Sequence, residues 1–201
     1  MLDKVVYVSG VQGSGKSTLI RELCDTGNCI SSRRISSRVD GNKHEFKDRY
    51  SKAIWRLAKY YLEACEQACL SKNNPNNFIL GDRSVYDSLV YMNAFLQLGW
   101  VNEDQLKHHQ KLYELFFSQE MKPKNIIFVA PPLEWIIKKL EERSKTESLK
   151  PDVKNLKYLK LVYDAFESFY QNCGDNVLIL RETDLEQRVK IVREWLGKIY
   201  S

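Results

Sequence analysis

The stretch Gly10-Val11-Gln12-Gly13-Ser14-Gly15-Lys16-Ser17-Thr18 follows directly on the apolar run Val5, Val6, Tyr7, Val8. Together the two read as a strand, a glycine-rich turn and the start of a helix, with the spacing GxxxxGK[ST]. A strand that ends in glycines and then opens a helix leaves several backbone N–H groups aimed at one point, backed by the positive end of the helix dipole. Such a hollow binds anions. Gly10, Gly13 and Gly15 permit backbone angles and a close approach that a side chain would block, Lys16 can reach the β- and γ-phosphates, and the Ser17 hydroxyl can ligate Mg²⁺. The turn, with Gln12, Ser14 and Thr18 included, is expected to hold a nucleoside triphosphate with magnesium. Guanine specificity would normally bring an Asn-Lys-x-Asp segment after a late strand, whereas Asn42-Lys43-His44-Glu45 lies early and ends in Glu. This counts against a GTPase.

Outward from this turn, short apolar runs alternate with longer stretches of helical spacing. The short runs fall at 5–8, 78–80, 126–129 and 177–180, with a weaker candidate around 34–37, which makes five strands. Apolar residues at i, i+3, i+4 mark seven helices, over 17–24, 46–70, 85–98, 103–119, 133–143, 156–170 and 185–199. Strands separated by helices cannot be hairpins, and a run such as Ile126-Ile127-Phe128-Val129 is apolar on both faces. The fold class that follows is α/β, a doubly wound five-stranded parallel sheet flanked by helices. Turn residues agree with the division: Asn73 to Asn77 with Pro75, Pro123, and Gly174 with Asp175 each precede a strand, and Asn102 with Gln105 forms a helix-capping pair. The polar stretch 144–152, with Lys145, Lys150 and Pro151, reads as an exposed loop and a short lid on a single domain spanning 1–201.

Composition narrows the class further. Of 201 residues 43% are hydrophobic and 28% charged, and no stretch approaches the roughly 20 uninterrupted apolar residues of a membrane span. The N-terminus lacks the pattern of a secretory signal, so a cytoplasmic protein is expected. The five cysteines form an odd set without a CxxC pair, which indicates neither a disulfide framework nor a zinc site. Cys65 and Cys69 share one face of a helix and read as core fillers. A net charge of +5 is mild and spread along the chain, so there is no clear nucleic-acid signal; polyphosphate substrates account for the excess equally well.

A second constellation follows the third strand: Asp82-Arg83-Ser84-Val85-Tyr86-Asp87-Ser88-Leu89-Val90-Tyr91. In doubly wound sheets ligands bind outside the carboxyl ends of the strands, which places Asp82 and Arg83 on the same rim as the phosphate turn. Asp82 can orient Mg²⁺ through its water or accept the proton of an attacking hydroxyl, and Arg83 offers a fork to a phosphate oxygen. Tyr86, Tyr91, Phe46, Tyr50 and Trp55 include candidates for stacking on an acceptor base, although aromatic residues at helical spacing more often belong to a core. His108 and His109, beside charged neighbours, read as surface residues.

On these residues the chain resembles the P-loop nucleoside and nucleotide kinases of the thymidylate kinase and deoxynucleoside kinase group, over nearly its whole length. Thymidylate kinases carry an Asp-Arg-Tyr motif followed by a serine-rich segment; here Asp82-Arg83-Ser84 and Asp87-Ser88-Leu89-Val90-Tyr91 stand in that place. Deoxynucleoside kinases use Glu-Arg-Ser at that strand end, matched by Arg83 and Ser84. Val129-Ala130-Pro131-Pro132-Leu133-Glu134 is similar to the strand-to-helix turn of both families, and Lys139 and Arg143 match the basic positions before the lid. Gln12 departs from the acid of thymidylate kinases and from the apolar residue usual in deoxynucleoside kinases. A Glu-Pro pair closing the second strand has no counterpart, and Arg38 is the nearest candidate for an arginine at the acceptor phosphate.

The resemblance implies an ATP- and Mg²⁺-dependent phosphotransferase. Lys16, Asp82, Arg83 and Arg143 are its expected catalytic residues, Ser17 and Asp82 its metal side, and Arg38, Arg83, Tyr86 and Tyr91 its acceptor side. The Asp-Arg and Asp-Ser-Leu-Val-Tyr segments favour a nucleoside monophosphate such as dTMP as acceptor. A deoxynucleoside kinase is the alternative, and beyond it a P-loop switch without an acceptor or a kinase of a non-nucleotide small molecule. The resemblance also implies a homodimer through helices 46–70 and 85–98.

Overall fold

In the computed structural model, which describes residues 4–32, 46, 48–118, 121–146, 155–174 and 176–200, the first apolar run becomes β1 (Val5–Ser9), buried at every position. The chain then runs through α1 (Lys16–Asp25), β2 (Cys29–Ser31), α2 (Arg49–Asn73), β3 (Phe78–Asp82), α3 (Tyr86–Gln97) and α4 (Glu103–Phe116). It continues as β4 (Asn125–Val129), α5 (Leu133–Ser144), α6 (Leu156–Gln171), β5 (Asn176–Leu180) and α7 (Leu185–Ile199). All pairings are parallel, in the order β2-β3-β1-β4-β5, so β1 is central and the turn after it leaves from the middle of the sheet.

Strand alternation sorts the core into two layers. Val5, Tyr7, Ile79, Ile126 and Phe128 face one side, where Leu57 and Ala64 of α2, Val90 of α3, and Phe166 and Tyr170 of α6 cover them. Val6, Val8, Leu80, Ile127 and Val129 face the other, against Leu19 and Leu23 of α1 and Val192 and Leu196 of α7. Caps define several helix starts. Asp48 accepts from Ser51 N at 2.7 Å to open α2, and Asn102 and Gln105 form the reciprocal capping box of α4, each such cap worth about 1 kcal/mol. No helix among the described residues is long and apolar enough to cross a membrane.

Two expectations need correction. The second strand is Cys29–Ser31, in register with Phe78 to Leu80, while the candidate around 34–37 lies outside the described residues. A three-residue edge strand whose residues are half-buried or exposed leaves almost no alternation to detect. Cys65 is half-buried and Cys69 exposed, because α2 turns that face past the edge of the core. Residues 147–152 of the expected lid also lie outside the described residues.

Candidate active site

The glycine turn closes as its composition dictates. Gly10, Gly13 and Gly15 all have positive φ, and a Cβ on Gly10 would come within 2.5 Å of the Val129 carbonyl oxygen. One on Gly15 would meet Arg188 Nη1 at 2.6 Å. The helix begins at Lys16 with no side-chain cap on its first amides, leaving them for a ligand. Lys16 is only 5% exposed: its Nζ curls back over the loop and donates to the Val11 carbonyl at 2.6 Å and to Ser14 Oγ at 3.3 Å. Ser17 and Thr18 sit exposed at the mouth.

The register Val8↔Asp82 sets Asp82 beside the root of the turn, and Ser17 Oγ donates to Asp82 Oδ2 at 3.1 Å. Two hard oxygen donors on one rim fit Mg²⁺, which takes few protein ligands and completes its shell with water and substrate phosphates. Among the described residues no group of three or more His, Cys, Asp or Glu forms a denser metal site.

Arg83 is the non-glycine residue with positive φ among the described residues, at 93°. Such a conformation costs energy and persists only where neighbours impose it. Here Arg83 N donates to the Val8 carbonyl, and Nη1 donates to the Gly10 carbonyl at 3.2 Å and to Asp87 Oδ2 at 3.1 Å. Asp87, fully buried, gathers three elements: its Oδ1 also accepts from Ser9 Oγ at the end of β1 and from the Tyr170 hydroxyl of α6 at 2.7 Å. Burial raises the Asp87 carboxyl above its usual range, against the lowering influence of Arg83, Ser9 and Tyr170. Burial alone would lower Arg83, but Tyr91, Tyr60, Asp87 and Asp82 hold its guanidinium well above the ordinary value, so it stays charged.

From the turn a cleft of about 840 Å³ extends over the strand ends. Its end beside the glycine turn is lined by Gly13, Gly15, Lys16, Trp135, Lys139 and Arg143. The opposite end is an aromatic and basic recess of Trp55, Arg56 and Tyr60 from α2, Tyr91 from α3 and Tyr158 from α6, with Asp82 and Arg83 between the two ends. The Tyr91 ring carries the Arg83 guanidinium at 5.6 Å and that of Arg56 at 5.7 Å.

The structure thus brings Gln12, Gly13, Gly15, Lys16, Ser17, Thr18, Asp82, Arg83, Tyr91 and Arg143 to one cleft. Tyr86 is not among its lining: only 8% exposed, it packs on Phe169 at 5.5 Å and Tyr113 at 6.4 Å in the core, because the first turn of α3 points that position toward α4 and α6. Arg38 lies outside the described residues. His109 is fully buried rather than on the surface, bonded through Nε2 to Ser88 Oγ at 2.8 Å. Sequence reasoning assigned no role to Asp87, Arg56, Tyr60, Trp135 or Arg188. For Asp87 a signal existed, since it stands four residues after Arg83, the spacing of a helical ion pair. Arg188 carried none, since the phosphate turn it bonds through Ser14 lies 174 residues away along the chain.

A family model described as deoxynucleoside kinase matches residues 6–199. A deoxyguanosine kinase of Bacillus subtilis (strain 168) is 21% identical over 178 residues, covering 87% of this chain and 84% of that protein. Solved structures of a deoxyadenosine kinase from M. mycoides superpose with TM-scores of 0.74, with dCMP and a flexible dCDP bound, and 0.73, with dATP bound. They are 17% and 16% identical, and each match covers 96% of this chain and 99% of the other.

Proposed function

This chain belongs to the deoxynucleoside kinase family, a nucleoside kinase by class, and from that premise we propose that it moves the γ-phosphoryl group of ATP to the 5′-hydroxyl of a deoxynucleoside. The observation that carries the reading is the single cleft that joins the phosphate turn to an aromatic recess, with Arg83 at the junction. The thymidylate-kinase-like acceptor favoured by the Asp-Arg and Asp-Ser-Leu-Val-Tyr segments fits the comparisons less well than this alternative.

Each residue then has a physical task. Lys16 exchanges its internal acceptors for β- and γ-phosphate oxygens, to which the uncapped first amides of α1 also donate. Ser17 and Asp82 hold the Mg²⁺, which supplies charge neutralisation on the phosphates when bound. Arg83, fixed by Asp87, presents its remaining N–H groups where charge spreads over the transferred group, and Arg143 closes the same space from α5. Tyr91 and Trp55 flank the acceptor, with Gln12 on the turn facing the same space. The acceptor oxygen forms a bond to the γ-phosphorus as the bond to ADP breaks, and the hydroxyl proton is released. Catalysis is mostly positioning and electrostatics.

One observation favours a second acceptor class. Arg56 and Arg83 share the Tyr91 ring, and Arg56 has no ion-pair partner among the described residues. The phosphate of a nucleoside monophosphate would supply the missing anion. ADP release from ATP and Mg²⁺ with deoxyadenosine, deoxyguanosine, deoxycytidine, thymidine and dTMP tests both readings. Turnover with a deoxynucleoside is expected. Preference for dTMP over thymidine favours the second reading, and ADP release with none of the five overturns both.

A further inference from the structure

Arg188, in the first turn of α7, is 2% exposed, yet it borders the cleft beside Gly15, Trp135 and Thr183. Two of its three nitrogens are committed to backbone carbonyls. Nε donates to Glu182 O at 2.6 Å, and Nη1 donates to Ser14 O at 3.0 Å, 174 residues away. The fork thereby ties the phosphate turn to the segment after β5, the two walls of the donor end. Its Cζ lies 5.1 Å from the centroid of the Trp135 ring, and a Cβ on Gly15, whose φ is already +93°, would come within 2.6 Å of Nη1.

Nη2 is buried with no hydrogen-bond partner among the described residues. A purely structural arginine at this position would be expected to spend this nitrogen too, since a buried donor left unmade is costly. Nor does a carboxylate among the described residues touch the guanidinium: burial lowers its pKa, and Glu182 and Asp184 only partly offset this. What remains is a desolvated cation with one unused fork arm, at the end of a cleft whose phosphate turn it already grips.

We propose that Arg188 is a donor-binding residue, with Nη2 donating to an oxygen of the phosphate chain of the nucleoside triphosphate while Nε and Nη1 hold the turn in its receptive shape. The inference rests on ATP being the donor, as set out above, and does not depend on which acceptor is used. An anionic oxygen satisfies both deficits at once, the unpaired donor and the uncompensated charge.

The test separates this role from scaffolding. ATP and ADP binding to the acceptor-free protein is measured by calorimetry for wild type, Arg188→Met and Arg188→Lys, together with KM for ATP and for the acceptor. Weakening of ATP binding by roughly tenfold or more in Arg188→Met is expected, with a parallel rise in the KM for ATP, an acceptor KM changed less than about twofold, and partial recovery in Arg188→Lys. Should Arg188→Met fail to fold, the lysine variant, which keeps the charge but not the fork, decides by the same readout. ATP affinity unchanged in the folded variants, or both KM values rising together, would overturn the proposal. Wild-type protein that binds no ATP would instead overturn the donor reading itself.

Discussion

The two ends of the cleft are built by different means. The end proposed for the donor is built largely from backbone: glycines with positive φ, the uncapped amides of α1 and one lysine, all within a nine-residue stretch. The end proposed for the acceptor is lined by side chains from three helices, Arg56 and Tyr60 of α2, Tyr91 of α3 and Tyr158 of α6, far apart in the chain. A backbone site tolerates little change in its own sequence but needs few partners. A side-chain site depends on how separate helices are packed, which leaves its specificity open to change while the phosphate turn stays as it is. Asp87 joins the two, holding Arg83 with one oxygen and β1 and α6 with the other.

Substitutions that break one end alone sharpen this contrast. Removing the donor-end charge has the largest expected effect: Lys16→Ala lowers kcat by about 10³-fold or more in an ADP-release assay while a bound deoxynucleoside still raises the Tm, because the acceptor end is untouched. Asp87→Asn should damage both ends, since it leaves the Arg83 guanidinium without its buried carboxylate. A loss of about 3 kcal/mol in urea unfolding is expected, with kcat reduced as well; wild-type stability would show that the junction is not structural.

His109 should affect neither end but only the frame behind the acceptor recess. Burial pushes its pKa down to about 4 from 6.5, so between these values the unfolded chain binds a proton that the folded one refuses. Its contribution is complete above pH 6.5 and is lost as pH falls toward 4, by about 2 to 3 kcal/mol. His109→Gln, which cannot titrate, should flatten that part of the stability profile, and an unchanged slope would assign it to other groups. The smallest effect belongs to Tyr91→Ala. It should raise the acceptor KM about tenfold, roughly 1.4 kcal/mol, with the KM for ATP unchanged, and a shift in the KM for ATP would mean that the ends are not separable.

The same contrast explains what could be read without coordinates. The phosphate turn, the central strand and the five-stranded parallel sheet were legible because each is written in contiguous residues: glycine spacing, strands apolar on both faces, and helical periods between them. That Asp82 and Arg83 line the same cleft as the turn was legible from their place at a strand end. Tyr86 was misread because an aromatic residue near a site motif looks the same whether it faces a ligand or, as here, Phe169 and Tyr113. His109 was misread because its charged neighbours in the chain say nothing of the turn by which α4 carries it inward to Ser88. The edge strand Cys29–Ser31 was too short to show a period.

The amino-acid order by itself determined that a glycine-rich loop of the GxxxxGK[ST] pattern sits between a buried strand and a helix in a parallel α/β sheet, since backbone angles and alternation are local properties. Only the tertiary structure decided that Asp87 clamps Arg83, that Arg56 and Arg83 share one tyrosine ring, and that Arg188 returns from the last helix to the first loop. Those pairings depend on the distances at which packed helices bring remote side chains together, and no local pattern of residues encodes a distance between segments 174 residues apart.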